Sequence, residues 1–181
     1  MKTKINFRWL FKIVLISVAA STVFTIASTE VLGRTGYVIS FAVLAAFVVI
    51  GIIFDIVGVA VTAANEAPFH SMAAHKQRGA VESLRLIKNA DKVSSFCNDV
   101  VGDVTGIVSG ATAGLVAVRL MESFATENLI IPLLISGVVT GLSVGGKALG
   151  KNSAINNSTA IVLRVGKLVN FLRLNPKTNS K

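Results

Sequence analysis

The chain has 181 residues, of which 52% are apolar and only 15% charged, a balance too apolar for a soluble domain of this size. Three prolines and a single cysteine, Cys97, exclude collagen, proline-rich linkers and an intrachain disulfide framework. The net charge of +9 is no nucleic-acid patch, because the basic residues alternate with the apolar runs. Lys2, Lys4, Arg8 and Lys12 come before or within the start of the first run. Lys76, Arg78, Arg85, Lys88 and Lys92 lie between the second and third, and Lys147, Lys151, Arg164, Lys167, Arg173, Lys177 and Lys181 follow the core of the last. Only Arg34 and Arg119 stand near the other two connections, so the positive-inside rule gives four spans with both termini in the cytoplasm of a cell membrane.

The first span runs from about Trp9 to Ser28, with Trp9 at the interface and Lys12 reaching back to water. A cleaved signal peptide is the rival reading, since basic residues followed by Ile13 to Ala20 imitate its charged and apolar regions. The run continues through Val23, Phe24 and Ile26 without a cleavage box, which favours an uncleaved helix. The second span, Tyr37 to about Ala64, stops where Asn65, Glu66 and Pro68 open a new helix. Residues 66–92 read as a cytoplasmic helical hairpin, broken at Gly79, with Val81, Leu84 and Ile87 on one face. The third span, about Val93 to Val118, has glycine at every fourth position (Gly102, Gly106, Gly110, Gly114), a ladder that lets another backbone come close. The fourth, Leu129 to about Leu149, repeats the device with Gly137, Gly141 and Gly145. Residues 153–174 form a C-terminal amphipathic juxtamembrane helix, with Ile161, Val165, Leu168, Val169 and Leu172 opposite Arg164 and Lys167. A short tail, 175–181, ends the chain. The fold class is an all-α integral membrane protein with four transmembrane helices, and the two glycine ladders predict a homodimer packed in the lipid bilayer.

Three carboxylates fall inside these spans, where burial costs several kcal/mol unless something compensates. Asp55 in span two and Asp99 and Asp103 in span three come to one depth, about 9 to 15 Å from the cytoplasmic face at ~1.5 Å per residue. Asp99 and Asp103, at i and i+4, share a helix face, and Asn98 adds a neutral oxygen. Clustered carboxylate and amide oxygens suit a hard, partly hydrated cation such as Mg2+. Two other readings stay open: the acids pair with Lys92, Arg119 or each other and hold the bundle together, or they relay protons. Other motifs carry less. Gly145 to Lys151 nearly spells a phosphate loop but has Asn152 where Ser or Thr is required, and it follows a membrane helix rather than a strand. His70 and His75 are read as surface residues and Cys97 as a packing residue. No nucleophile, base and orienter set appears, so no enzyme is expected.

The order of parts resembles the transmembrane domain of the CorC/CNNM family of magnesium transporters, from about Val38 onward. Phe54 to Ala73 (FDIVGVAVTAANEAPFHSMA) is similar to that family's first helix and the start of its hairpin. Phe96 to Val101 (FCNDVV) resembles its G-N-N-L-V stretch, with Asn98 on a matching Asn. Lys147 to Ala160 (KALGKNSAINNSTA) resembles the segment after its G-E-x-x-P-K motif, with Lys147 on the Lys. The motif's Glu falls near Ser143 and its Pro on Gly146, while Asp55, Asp99 and Asp103 are additions. The nucleotide-binding CBS pair is lacking, and residues 1–34 form an extra N-terminal span before a family-like domain at 35–174. The leading expectation is a protein that binds and transports a divalent cation, most simply Mg2+, at Asp55, Asn98, Asp99 and Asp103; the resemblance, to a dimeric family, supports the cation site better than it supports active transport. The competing expectation is a non-transporting membrane scaffold or accessory subunit whose acids are structural.

Overall fold

The structure, a computed structural model, describes residues 7–34, 36–125 and 128–173. The predicted tail 175–181, like Lys2 and Lys4, lies outside them. Among the described residues the chain is helical with no strand. The elements are α1 (Phe7–Arg34), α2 (Tyr37–Ala63), α3 (Ala67–Ala74), α4 (Ala80–Lys88), α5 (Ala90–Ser95), a π-helical segment (Phe96–Gly102), α6 (Asp103–Ser123), α7 (Ile130–Asn156) and α8 (Ser158–Arg173). Four stretches are long and apolar enough to cross a bilayer: Phe11–Glu30, Tyr37–Ala63, Ala90–Ser123 and Ile130–Asn156. The chain is therefore a multi-pass membrane protein.

The punctuation between helices follows side-chain chemistry. Ala64 is extended, the Asn65 Oδ1 accepts the Ala67 amide at 3.0 Å, and Pro68 sits in the first turn of α3, where its missing N–H is harmless. At the other end of α3, Lys76 takes a left-handed φ of 53°. The Gln77 amide then reaches back to the Met72 carbonyl at 2.9 Å and that of Lys76 to Ala73 at 3.0 Å, the Schellman closure of a helix. Gly79, at φ 84°, begins α4, so the glycine read as a helix break is one. The boundary after the fourth span differs from expectation: α7 continues to Asn156, and the juxtamembrane helix is Ser158–Arg173 rather than 153–174. The break comes at Asn157, whose amide Nδ2 donates to the Ser153 carbonyl at 3.3 Å and competes with helix continuation.

The central helix is α2, which packs against α7, α6, the π segment, α5 and α8, while α1 lies mainly against α6 and the π segment. Two kinds of packing result. At one end of the bundle Ala60, Val61, Phe69, Ile87, Ala154 and Val162 from α2, α3, α4, α7 and α8 make a core like that of a soluble protein. Along the spans, contact depends on small residues. A Cβ at Gly51 would lie 2.6 Å from Thr105 Oγ1, one at Gly150 would lie 2.6 Å from Ile56 Cγ1, and one at Gly146 would collide with Ile52 Cδ1.

The glycine ladders behave otherwise. Nothing lies within 4 Å of a Cβ built at Gly106, Gly110, Gly114, Gly137, Gly141 or Gly145. Apart from Gly102, the ladder positions therefore meet no neighbour closely, and among the glycines of the spans it is Gly51, Gly58, Gly102, Gly146 and Gly150 that serve contacts within the chain.

Candidate functional site

The third span is α-helical at both ends and π-helical over Phe96–Gly102, a widened turn that displaces carbonyls from their usual partners. Thr105 compensates: its hydroxyl donates to the Val101 carbonyl at 2.7 Å and reaches that of Gly102 at 3.1 Å. Ser109 Oγ then donates to the Thr105 carbonyl at 2.7 Å. Thr105, Ser109 and Thr112 are all buried, so a polar stripe of α6 faces inward, towards α2 and α7.

Against this stripe lies one face of α2 on which Gly51, Asp55 and Gly58 recur at i, i+4 and i+7. Gly51 meets Thr105, and Gly58 meets the side chain of Asn98 so closely that any Cβ there would overlap Asn98 Oδ1. Asp55, half-buried, stands between these two contacts on the same face. Asn98 Nδ2 is 3.4 Å from Ser94 Oγ, but its Oδ1 is buried with no hydrogen-bond partner among the described residues. Leaving such an oxygen unmet costs about 1–3 kcal/mol.

The third wall is α7, through Ser143 and Lys147. The Lys147 ammonium would lie 3.7 Å from a Cβ at Gly102, and with Gly51, Gly102, Thr105, Ser109 and Ser143 it lines a cavity of about 30 Å3, space for one water. Lys147 is nine residues before the end of α7, about 14 Å along the helix, level with the acids by chain position. In the sequence it reads as the first of the basic residues that follow the core of the fourth span. The glycine pair Gly145–Gly146 beside it was the available signal, since small residues allow a long side chain to pack along a neighbouring helix.

The four predicted ion ligands divide between two surfaces. Asp55 and Asn98 belong to the α2 contact. Asp99 and Asp103 are exposed, on the side of the third span that also carries Gly110 and Gly114, whose Cβ positions meet nothing within 4 Å among the described residues. Among the described residues no three His, Cys, Asp or Glu side chains come close enough together to hold a metal ion, and Asp55, Asp99 and Asp103 make no ion pair. The pairing of these acids with Lys92 or with each other, open from the sequence, is thus not made. The minor expectations hold. Cys97 is buried, and His70 and His75 are exposed, His70 lying 3.5 Å from Glu66.

Compared with known proteins, the chain matches no protein family, no curated protein and no solved structure.

Proposed function

We propose that this multi-pass protein binds a divalent cation, most simply Mg2+, within the membrane and carries it across. The observation that supports this reading most directly is the buried, unpartnered Asn98 Oδ1 at the α2 contact, with Asp55 on the facing side of α2. An oxygen left unmet at a cost of stability is a ligand in waiting. A cavity of about 30 Å3 is too small for a hydrated ion, so Mg2+, which keeps several waters, would sit where half-buried Asp55 and exposed Asp99 and Asp103 can reach it through its water shell. The resemblance to CorC/CNNM transmembrane domains leads to the same ion.

The test is thermal unfolding of the purified protein across Mg2+ concentration. An ion that binds only the folded state adds about 2.7 kcal/mol at a hundred times its Kd, so the melting temperature should climb with Mg2+. Asp55→Asn, Asp99→Asn and Asp103→Asn should each blunt the rise. A parent whose melting temperature ignores Mg2+ ends the ion reading.

In the proposed orientation both termini and the α3–α4–α8 layer face the cytoplasm of a cell membrane. A cysteine at Gln77 in a Cys97→Ala background should resist an impermeant thiol reagent applied outside intact cells, while one at Asn128 should react. The opposite pattern overturns this topology.

The glycine ladders, whose positions beyond Gly102 meet no neighbour closely, favour a second reading, a homodimeric scaffold in which a second copy covers Asp99, Asp103 and the two stripes of small residues. Close backbone packing drives helix association in lipid. Light scattering should then give a dimer mass for the parent, and Gly110→Leu with Gly141→Leu should give monomer mass at unchanged helicity. A monomeric parent removes this reading.

A further inference from the structure

The turn between α3 and α4 builds a second polar recess, away from the spans. Lys76 and Gly79, with φ of 53° and 84°, bend the chain so that the backbone of Gly79 lies directly on that of Lys167 in α8. A Cβ at Gly79 would be 2.6 Å from the Lys167 nitrogen. The same crossing is closed from the other side by Gly166, whose Cβ would lie 2.5 Å from the Gly79 carbonyl oxygen. With the two backbones in contact, Gln77, Arg78, Lys167, Asn170 and Phe171 surround a recess of about 430 Å3.

Its chemistry is that of an anion site. Arg78 and Lys167 bring two cations to one recess, and among the described residues neither has an acidic partner. Glu82, the nearest acid along α4, is engaged with Arg85 at 3.9 Å. Like charges held together by a backbone crossing repel unless an anion lies between them. Gln77 and Asn170 add amide donors. A planar guanidinium beside a mobile ammonium suits phosphate oxygens. The surroundings decide which phosphate. Leu168, Phe171 and Leu172 are exposed on α8, so an apolar ridge adjoins the recess and would lie among acyl chains while the cations stay at headgroup level.

We propose that this recess binds the phosphate headgroup of one anionic glycerophospholipid, pinning the α3–α4 turn and α8 to the membrane surface. The chemistry recognised is a phosphate oxyanion, and free inorganic phosphate is the alternative source. The full chain in neutral detergent micelles is titrated with phosphatidylglycerol, phosphatidylcholine or inorganic phosphate, and bound lipid is counted by native mass spectrometry while the melting temperature is followed. The parent should retain one phosphatidylglycerol in preference to phosphatidylcholine and be stabilised by it, and inorganic phosphate at the same concentration should do neither. At about 1 kcal/mol per basic residue near the surface, Arg78→Gln or Lys167→Gln should each weaken retention about fivefold, and the pair about 25-fold. Lys88→Gln with Lys92→Gln, which removes the same charge away from the recess, should stay within about twofold of the parent, because diffuse attraction at the distance of a Debye length is weak. Unchanged melting of the Arg78 and Lys167 variants in lipid-free micelles shows that they fold. The proposal is overturned if the two double variants lose lipid equally, if phosphatidylcholine is held as well as phosphatidylglycerol, or if inorganic phosphate stabilises as much as the lipid.

Discussion

Asn98→Leu is expected to make the protein more stable and at the same time blind to Mg2+. Leucine keeps the branched shape that fills the space against Gly58, and it removes the buried Oδ1 that has no partner. It also gives up the long contact to Ser94 at 3.4 Å, which is too stretched to be worth much. The balance favours the variant by about 1–2 kcal/mol, and a chain of this size gains about 2–4 °C of melting temperature per kcal/mol. A structural role for Asn98 demands the reverse sign. Unfolding of parent and variant with and without Mg2+ reads both effects together, and a destabilised variant that still responds to the ion would remove Asn98 from the site.

Gly166→Leu should have the largest structural effect of any single substitution considered. The added side chain would overlap Ser83 Oγ and press on the backbone of Gly79 and Ser83, at a crossing where Ser83 Oγ also reaches the Gly79 and Val162 carbonyls at 2.8 and 3.1 Å. Backbone cannot move aside as a flexible side chain can, so the loss should reach about 3 kcal/mol or more. Because Val162 and Phe69 belong to the core at this end of the bundle, α8 should detach from α4 while the spans remain. Limited trypsin digestion in micelles would then cut at Arg164 and Lys167, sites that the parent protects. A parent-like digestion pattern and melting temperature would show that the crossing does not hold α8.

How much of this was legible beforehand depends on the kind of signal. The spans, the break at Gly79 and the stop at Asn65 to Pro68 follow from local chemistry that does not depend on neighbours: uninterrupted apolar runs, a glycine able to take positive φ, a proline that fits only a first turn. The glycine ladders were visible too, but their direction was not. In water a hydrophobic face announces what it packs against, whereas in lipid the inside and outside of a bundle are equally apolar. Glycine spacing therefore says where a backbone can approach and not whether one does. Gly146 and Gly106 look alike in the sequence; one packs on Ile52 and the other meets nothing. The same ambiguity divided the candidate ligands. Depth could be counted in residues, and Asp55, Asp99 and Asp103 shared it, but the face each acid takes is set by contacts hundreds of atoms large. The π segment, which no propensity marks, was hidden for the same reason.

The burial along α7 also bears on bilayer thickness. At 27 residues this helix is about 40 Å long, some 10 Å more than a typical hydrocarbon slab, and its buried residues are Gly150 and Ala154, near one end. The surplus length is therefore sheathed by α2 and α8, while the rest of α7 packs on α2 and α6 along one side and leaves its other side to acyl chains. A change in membrane thickness cannot be taken up at the sheathed end without breaking the packed core. It must be met at the opposite rim, where Tyr37 of α2 hydrogen-bonds Ser123 and the Arg119 carbonyl. Hydrophobic mismatch would thus act on one rim of the molecule and leave the other still.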